Sequence, residues 1–421
     1  MVDYDALAHA VRHHDVDLRW QHAFYEDLHA HPELSQQEEE TAARILAGLD
    51  GVEGEVFSGI GGHGIVVILR NGEGPCVLFR ADFDALPVHE QTGVPYASTR
   101  TATDRVGRTQ PVMHACGHDM HTTALMGLVH VLDQRRDLWS GTFIGLFQPS
   151  EENGQGALAM IDDGLLDLVP RPDVCLGQHI MPGPAGTVHT MPGAQFATCD
   201  SIRITIPGRS SHGSMPHKSI DPTFVAAMII VRLQGIVGRE VDPNDFAVVS
   251  VGTLRAGTAN NIIPESAELV LNCRFYDTDV RTRVYAAIRR VVEAECLASG
   301  CPRAAEIEFF DHGEMIDNDP ETFAFVRPAF DAVFGEDSVD ARRVTPSEDF
   351  ANLPKAWGVP YLYWVVGCTP REQWAEAAAA DRIDQDIPVN HQGTFLPDPE
   401  PTTYATTHAA LAAVLSYLHR S

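Results

Sequence analysis

Residues 76–84 read Cys76-Val-Leu-Phe-Arg-Ala-Asp-Phe-Asp84, a short apolar run that ends in carboxylates. A run of this length bounded by polar residues has the length of a buried strand. The form recurs around it. Gly64–Leu69, Thr142–Phe147 and Asp173–Gln178 read as further strands, and Met120–Leu132 reads as a helix between them. Strands alternating with helical patterns predict an α/β fold with a mainly parallel, helix-covered sheet. Ligands of such sheets sit beyond the carboxyl ends of the strands. Asp82 and Asp84 follow the first run, Glu151 and Glu152 follow Phe147, and His179 follows Gln178. Three strand ends thus deliver polar side chains to one edge.

The middle of the chain has a different rhythm. Ser201–Ile206 alternates strictly, as a half-exposed strand does. Asp221-Pro222 supplies a cap and a first-turn proline for a helix continuing to about Val237. Ala247–Leu254 and Glu268–Tyr276 read as strands, Val280–Leu297 as a helix and Glu306–Phe310 as a short last strand. The order βαββαβ is that of a ferredoxin-like unit. It reads as a domain of residues 196–311 inserted between two parts of the first, 1–195 and 312–421. Tyr361–Val366 resumes an apolar strand, and Thr403–His419 an amphipathic helix, both returning to the main sheet. Ala375–Ala380 reads as a surface helix.

Composition narrows the function. The 421 residues allow two to three domains, at ~150 residues per domain. An apolar fraction of 44% is ample for a core. The net charge of −28 opposes nucleic acid and anionic membrane as partners. The longest apolar run, Phe224–Val231, is too short to span a bilayer. The first residues carry no basic and apolar leader, and the eight cysteines lack disulfide-scaffold spacing. These features predict a reducing cytoplasm.

The chemistry concentrates in two stretches. Met113-His-Ala-Cys-Gly-His-Asp119 sets a thiol two residues from an imidazole, just ahead of the apolar helix. Phe147-Gln-Pro-Ser-Glu-Glu-Asn153 ends a strand with paired carboxylates. Thiolate, imidazole and carboxylate are the donors of transition-metal sites. Successive residues point apart, so one glutamate can bind metal while its neighbour faces substrate as a general base. His179 and His391 sit in similar surroundings, whereas most of the 20 histidines must be structural or solvated. His29 and His31 are expected to shape a loop.

The ordered set Arg80-Ala-Asp-Phe-Asp-Ala-Leu-Pro87, His114–Asp119, Phe147–Glu152, Gly208-Arg-Ser-Ser-His-Gly-Ser-Met-Pro-His217, Asn261-Ile-Ile-Pro264, Ser347-Glu-Asp-Phe350 and Asn390-His391 resembles the N-acyl-amino-acid amidohydrolases. These include hippurate hydrolases and auxin-conjugate hydrolases, within the aminoacylase and carboxypeptidase-G-like dinuclear metallopeptidases. The resemblance runs from about Leu28 to Phe395. It implies two divalent metal ions per chain: zinc, manganese, cobalt or nickel. Cys116 would bridge them, Glu152 and His391 completing one set of ligands and His118 and His179 the other. Glu151 matches the general base and Asp84 a supporting aspartate. Asp82 stands where sister branches carry a metal-binding histidine, a task His118 would take over. His212 matches a histidine that reaches a partner subunit's site and stabilises the oxyanion. Asn261 and Arg274 match holders of the substrate carboxylate. A homodimer formed through the inserted lid domain is implied as well.

The chain departs from the pattern at Glu151-Glu-Asn-Gly154, at His391-Gln-Gly393 and at Trp374–Ile387, which reads as a longer loop. The implied reaction is hydrolysis of the amide bond of a small N-acyl amino acid. Two alternatives stand beside it: a dipeptidase or carboxypeptidase on the same scaffold, and a non-catalytic binder of a small acid or metal.

Overall fold

The computed structural model describes residues 2–420; Met1 and Ser421 lie outside the described residues. Twelve strands carry the two sheets. In chain order they are β1 (Glu55–Ile60), β2 (Gly64–Asn71), β3 (Cys76–Asp82), β4 (Gly141–Gln148), β5 (Val174–Pro184), β6 (Val188–Thr190), β7 (Cys199–Pro207), β8 (Ala247–Ala256), β9 (Ser266–Phe275), β10 (Glu306–Gly313), β11 (Ser338–Asp340) and β12 (Tyr361–Thr369). The helices that matter here are α1 (Trp20–Ala30), α2 (Glu39–Gly48), α3 (His118–Gln134), α4 (Pro222–Glu240), α5 (Thr278–Ala298) and α6 (Pro399–Leu418).

Two compact units result. The first comprises Met1–Gly193, Asp317–Arg342 and Asp349–Ser421, the second Ala194–Ile316 and Arg343–Glu348. The second unit therefore runs five residues past the expected end at 311, and it takes back a short segment after the first unit has resumed.

The first unit is built on an eight-stranded sheet of order β1-β2-β4-β3-β5-β12-β6-β11. Its centre, β4-β3-β5-β12, is parallel, whereas β1 and β2 pair antiparallel with their neighbours, and β6 pairs antiparallel with β12 but parallel with β11. Gly64–Leu69 of β2 and Val77–Asp82 of β3 are buried along their whole length. Such continuous apolar runs mark strands covered on both faces. Phe79 and Phe330 both pack on the indole of Trp364, at centroid distances of 5.8 and 5.1 Å. Burying side chains of this size contributes about 2–3 kcal/mol each.

Four expectations need correction in this unit. Helix α6 is not amphipathic: Ala405–Ser416 is buried on every side. Its small alanines and threonines let neighbours approach all round. His179 does not follow a strand end, because β5 continues through it and pairs it with Val365 of β12. His29 belongs to α1 rather than to a loop, and His31 caps that helix. The stretch Trp374–Ile387 is no simple loop, since it holds the end of helix Arg371–Ala379 and the turn Ile383–Asp386.

The second unit is a four-stranded antiparallel sheet of order β8-β9-β7-β10 with α4 and α5 packed on it. That is the ferredoxin-like arrangement. Asp221 caps α4 by accepting the N–H of Thr223, and Pro222 starts the helix. Val225, Ile229, Leu233 and Ile236 bury one stripe of it, while Phe224 and Val231 are exposed on another. Taken as a helix rather than by its longest apolar run, α4 is long and apolar enough to cross a membrane by length and composition.

Candidate active site

The site starts at the sharp entry into α3. Gly117 has φ +86°, and a Cβ on it would come within 2.3 Å of the Ile180 side chain. Only glycine meets both demands. The turn leaves Cys116 just before the helix and His118 on its first turn, both buried. The Cys116 Sγ lies 3.4 Å from His179 Nε2 and 3.3 Å from His391 Nε2. The Nδ1–H of His179 is bonded to the carbonyl of Ile180 at 2.6 Å. That bond fixes the tautomer and turns the Nε2 lone pair toward the sulfur.

His391 comes from the far end of the chain. Its backbone is left-handed, φ +72°, and its N–H donates to Ala115 O at 2.7 Å. The Asn390 amide donates to the carbonyls of Cys116 and Ile180, each at 3.2 Å. One asparagine thereby ties three ligand-bearing segments together.

The glutamate pair stands on a turn after β4. Asp84 accepts the N–H groups of both Glu151 and Glu152, at 3.1 Å each, and also receives His118 Nδ1 at 3.2 Å. His118 Nε2 then faces Glu151 and Glu152, at 3.8 Å from each carboxylate. Glu152 also lies 3.4 Å from His391 Nε2. Cys116, His118, Glu151, Glu152, His179 and His391 form three donor groups among themselves, each with all its donor atoms within 4.8 Å of one another: Cys116, His118 and His179; Cys116, Glu152 and His391; His118, Glu151 and Glu152.

Charge at the site is set by burial and by carboxylates. Burial, reinforced by Glu152 and Glu151, holds the Cys116 thiol well above its usual range. Burial alone would lower His118, but Asp82 and Asp84 raise it to about 10. His179 is pushed well below its usual value by burial and by His121, so it is neutral.

These residues fit a metal. His118 Nε2 and Glu152 Oε1 are buried, and neither has a hydrogen-bond partner. A buried polar atom without a partner is costly, and both aim at the centre of the donor set. Divalent cations would satisfy both and would deprotonate the thiol.

His121 was not foreseen. A further donor group joins Asp82, His118 and His121. Yet His121 Nδ1 bonds Asp82 at 2.6 Å and its Nε2 accepts the N–H of Ile180 at 2.9 Å. Both nitrogens are spent, so His121 supports the site without offering a lone pair. Its spacing of three residues from His118, on one helix face, is the signal that could have found it. Asp82 is held ionised, against burial, chiefly by Arg80, which also binds Asp349 at 2.8 Å.

The structure thus brings Cys116, His118, Glu152, His179, His391, Glu151 and Asp84 together. His212, Asn261 and Arg274 belong to the second unit. His212 is exposed, bonded to Ser214 Oγ at 2.8 Å, and pairs with Ile262 across a short ladder that sets it beside Asn261. Gly213 N–H donates to Asn261 O at 2.7 Å. Arg274 lies on β9, its Nε donating to Asn272 at 3.0 Å while Nη1 is buried without a hydrogen-bond partner.

Known proteins resemble this chain over most of its length. The model of peptidase family M20/M25/M40 matches residues 78–387. An N-acetylcysteine deacetylase of Bacillus subtilis is 34% identical over 92% of this chain and 94% of its own. Thermostable carboxypeptidase 2 of Saccharolobus solfataricus is 35% identical over 81% and 84%. The crystal structure of a dinuclear metal-binding M20 peptidase of Bacillus subtilis superposes with a TM-score of 0.75 at 30% identity, covering 94% of this chain and 98% of that one.

Proposed function

The chain belongs to peptidase family M20/M25/M40, and from that premise we propose that it hydrolyses the amide bond of small N-acyl amino acids with two divalent metal ions. The observation that carries the reading is the sharing of Cys116 between two donor groups, one completed by His118 and His179, the other by Glu152 and His391. One thiolate common to both would bridge two ions. Ions so held would polarise the scissile carbonyl and acidify a water.

The protein's own part is proton handling and orientation. Glu151 shares its turn with Glu152 and lies beside the donor set. It takes a proton from the attacking water and gives it to the leaving amine nitrogen as the C–N bond breaks. Asp84 holds that turn and the His118 ring in one geometry. In the second unit, His212 would stabilise the oxyanion in the site of a partner copy, and Asn261 and Arg274 would hold the substrate carboxylate. The chain would form a homodimer through that unit, which would also act as a lid. Its eight cysteines are free, in keeping with a reducing cytoplasm.

Peptide-bond cleavage is the second reading, favoured by the similarity to the carboxypeptidase. The test is a panel of N-acetyl, N-benzoyl and indole-acetyl amino acids beside free dipeptides, offered to apo protein reloaded with zinc, manganese or cobalt. Metal-dependent release of amino acid from the acyl conjugates is expected. Cleavage of dipeptides alone would move the chain to the peptidase reading, and two bound metals with no turnover would defeat both.

A further inference from the structure

Glu38 takes no part in the chemistry just described, yet it is wholly buried at the cap position of α2. Its Oε1 accepts both the N–H and the Oγ–H of Ser150, at 2.9 and 3.0 Å. Ser150 Oγ in turn accepts the N–H of Gln36 at 2.9 Å. Ser150 and Gln36 are both left-handed, with φ +58° and +66°. Residues with a Cβ are strained there and stay only when their surroundings hold them. At Ser150 the holding group is Glu38.

Ser150 immediately precedes Glu151 and Glu152. Asp84 secures the N–H groups of that pair, but it makes no bond to Ser150. The backbone rotation at Ser150 sets the direction in which the chain enters the turn. Two carboxyl groups therefore clamp the segment, one at its entry and one beneath the pair. Glu38 Oε2 is buried and has no hydrogen-bond partner. A carboxyl kept in such a place at the cost of an unsatisfied oxygen asks for a reason beyond filling space.

We propose that Glu38 is a positioning residue for hydrolysis: by holding Ser150 left-handed, it aims Glu151 at the attacking water and Glu152 at its ligand position. The proposal rests on the roles given to those two glutamates above. Burial first, and then the charge of Asp84, raises the Glu38 carboxyl to about 7. A neutral glutamine, which keeps the accepting oxygen, is therefore a fair replacement.

Three variants test this: Glu38→Ala, Glu38→Gln and Glu38→Ala combined with Ser150→Gly. For each, kcat and KM on an N-acyl amino acid, zinc affinity by chelator competition and thermal unfolding are measured. Glu38→Ala should lower kcat by roughly 10- to 100-fold with KM nearly unchanged, and weaken zinc by about 10-fold. Glu38→Gln should stay within about 3-fold of wild type, since it still accepts from Ser150. Adding Ser150→Gly should restore most of the loss, because glycine takes a positive φ without strain. Wild-type kcat and zinc affinity in Glu38→Ala would overturn the proposal. So would a loss that neither glutamine nor Ser150→Gly relieves, which would mark general damage to the fold. If the wild type itself turned over no acyl amino acid, the proposed reaction would fall, and the zinc affinities would still decide the role of Glu38.

Discussion

The sulfur of Cys116 lies 3.3 Å from Nε2 of His391, a residue 275 positions further along the chain. A contact made across such a distance, and held by the bonds of Asn390 and the left-handed backbone of His391, is prepared for a shared ligand. Cys116→Ser replaces a soft sulfur donor with a hard and far less acidic oxygen. Metal content should fall from two ions per chain to one or fewer, with activity lost by about 100-fold or more, since even supporting residues are worth 10–100-fold. Metal analysis after dialysis, paired with a hydrolysis assay, checks this. Unchanged stoichiometry and activity would remove Cys116 from the site.

The neighbouring glutamates should separate cleanly. Glu151→Ala should keep both metals and lower kcat by about 10²- to 10⁴-fold, the usual weight of a positioned proton carrier. Glu152→Ala should lose metal. If the two variants behaved the other way round, the roles would be exchanged, because the same turn could present either carboxylate to the cluster.

Metal uptake should release protons. The Cys116 thiol lies well above its usual range and His118 stands near 10, so both are protonated in the metal-free protein at neutral pH. His179, pushed down by burial, has no proton to give. Binding requires a thiolate and a neutral imidazole. Zinc titrated near pH 8 should therefore release about two protons per chain, and apparent affinity should rise with pH. Calorimetry in buffers of different ionisation enthalpy counts the protons. A count near zero would contradict the ligand assignment of Cys116 and His118.

Much of this was legible from local spacing. Cys116 and His118 sit two residues apart before a helix, and the glutamates end an apolar run, so sequence alone finds them. Three features were not legible, each for a physical reason. Glu38 acts through Ser150, 112 residues away, and no local pattern encodes such a contact. The burial of α6 hides because alanine and threonine suit a surface as well as a crowded core. In the stretch before His391 the alanine-rich run reads as a helix, and Arg371–Ala379 is one, but the helical turn Ile383–Asp386 that follows is too short to leave a periodic pattern. His179 shows the remaining difficulty: β5 stays paired past Gln178, so a strand that outlasts its apolar run hides where it ends.

Stability should depend on pH through His29. This buried ring bonds Asp119 at 2.6 Å and Glu90 at 3.1 Å, tying α1 to the residue beside His118. Burial opposes its charge, but the two carboxylates outweigh burial and raise it to about 9. The folded value thus exceeds the unfolded one of about 6.5, so protonation favours the folded state. The contribution is complete below about pH 6.5 and is lost as pH rises through 9, an amount on the order of 3 kcal/mol. Urea midpoints should fall between about pH 6.5 and pH 9.5 in the wild type. His29→Gln should unfold more easily at the lower pH and show a much flatter profile. An equally steep fall in that variant would place the pH dependence elsewhere and leave His29 as packing alone.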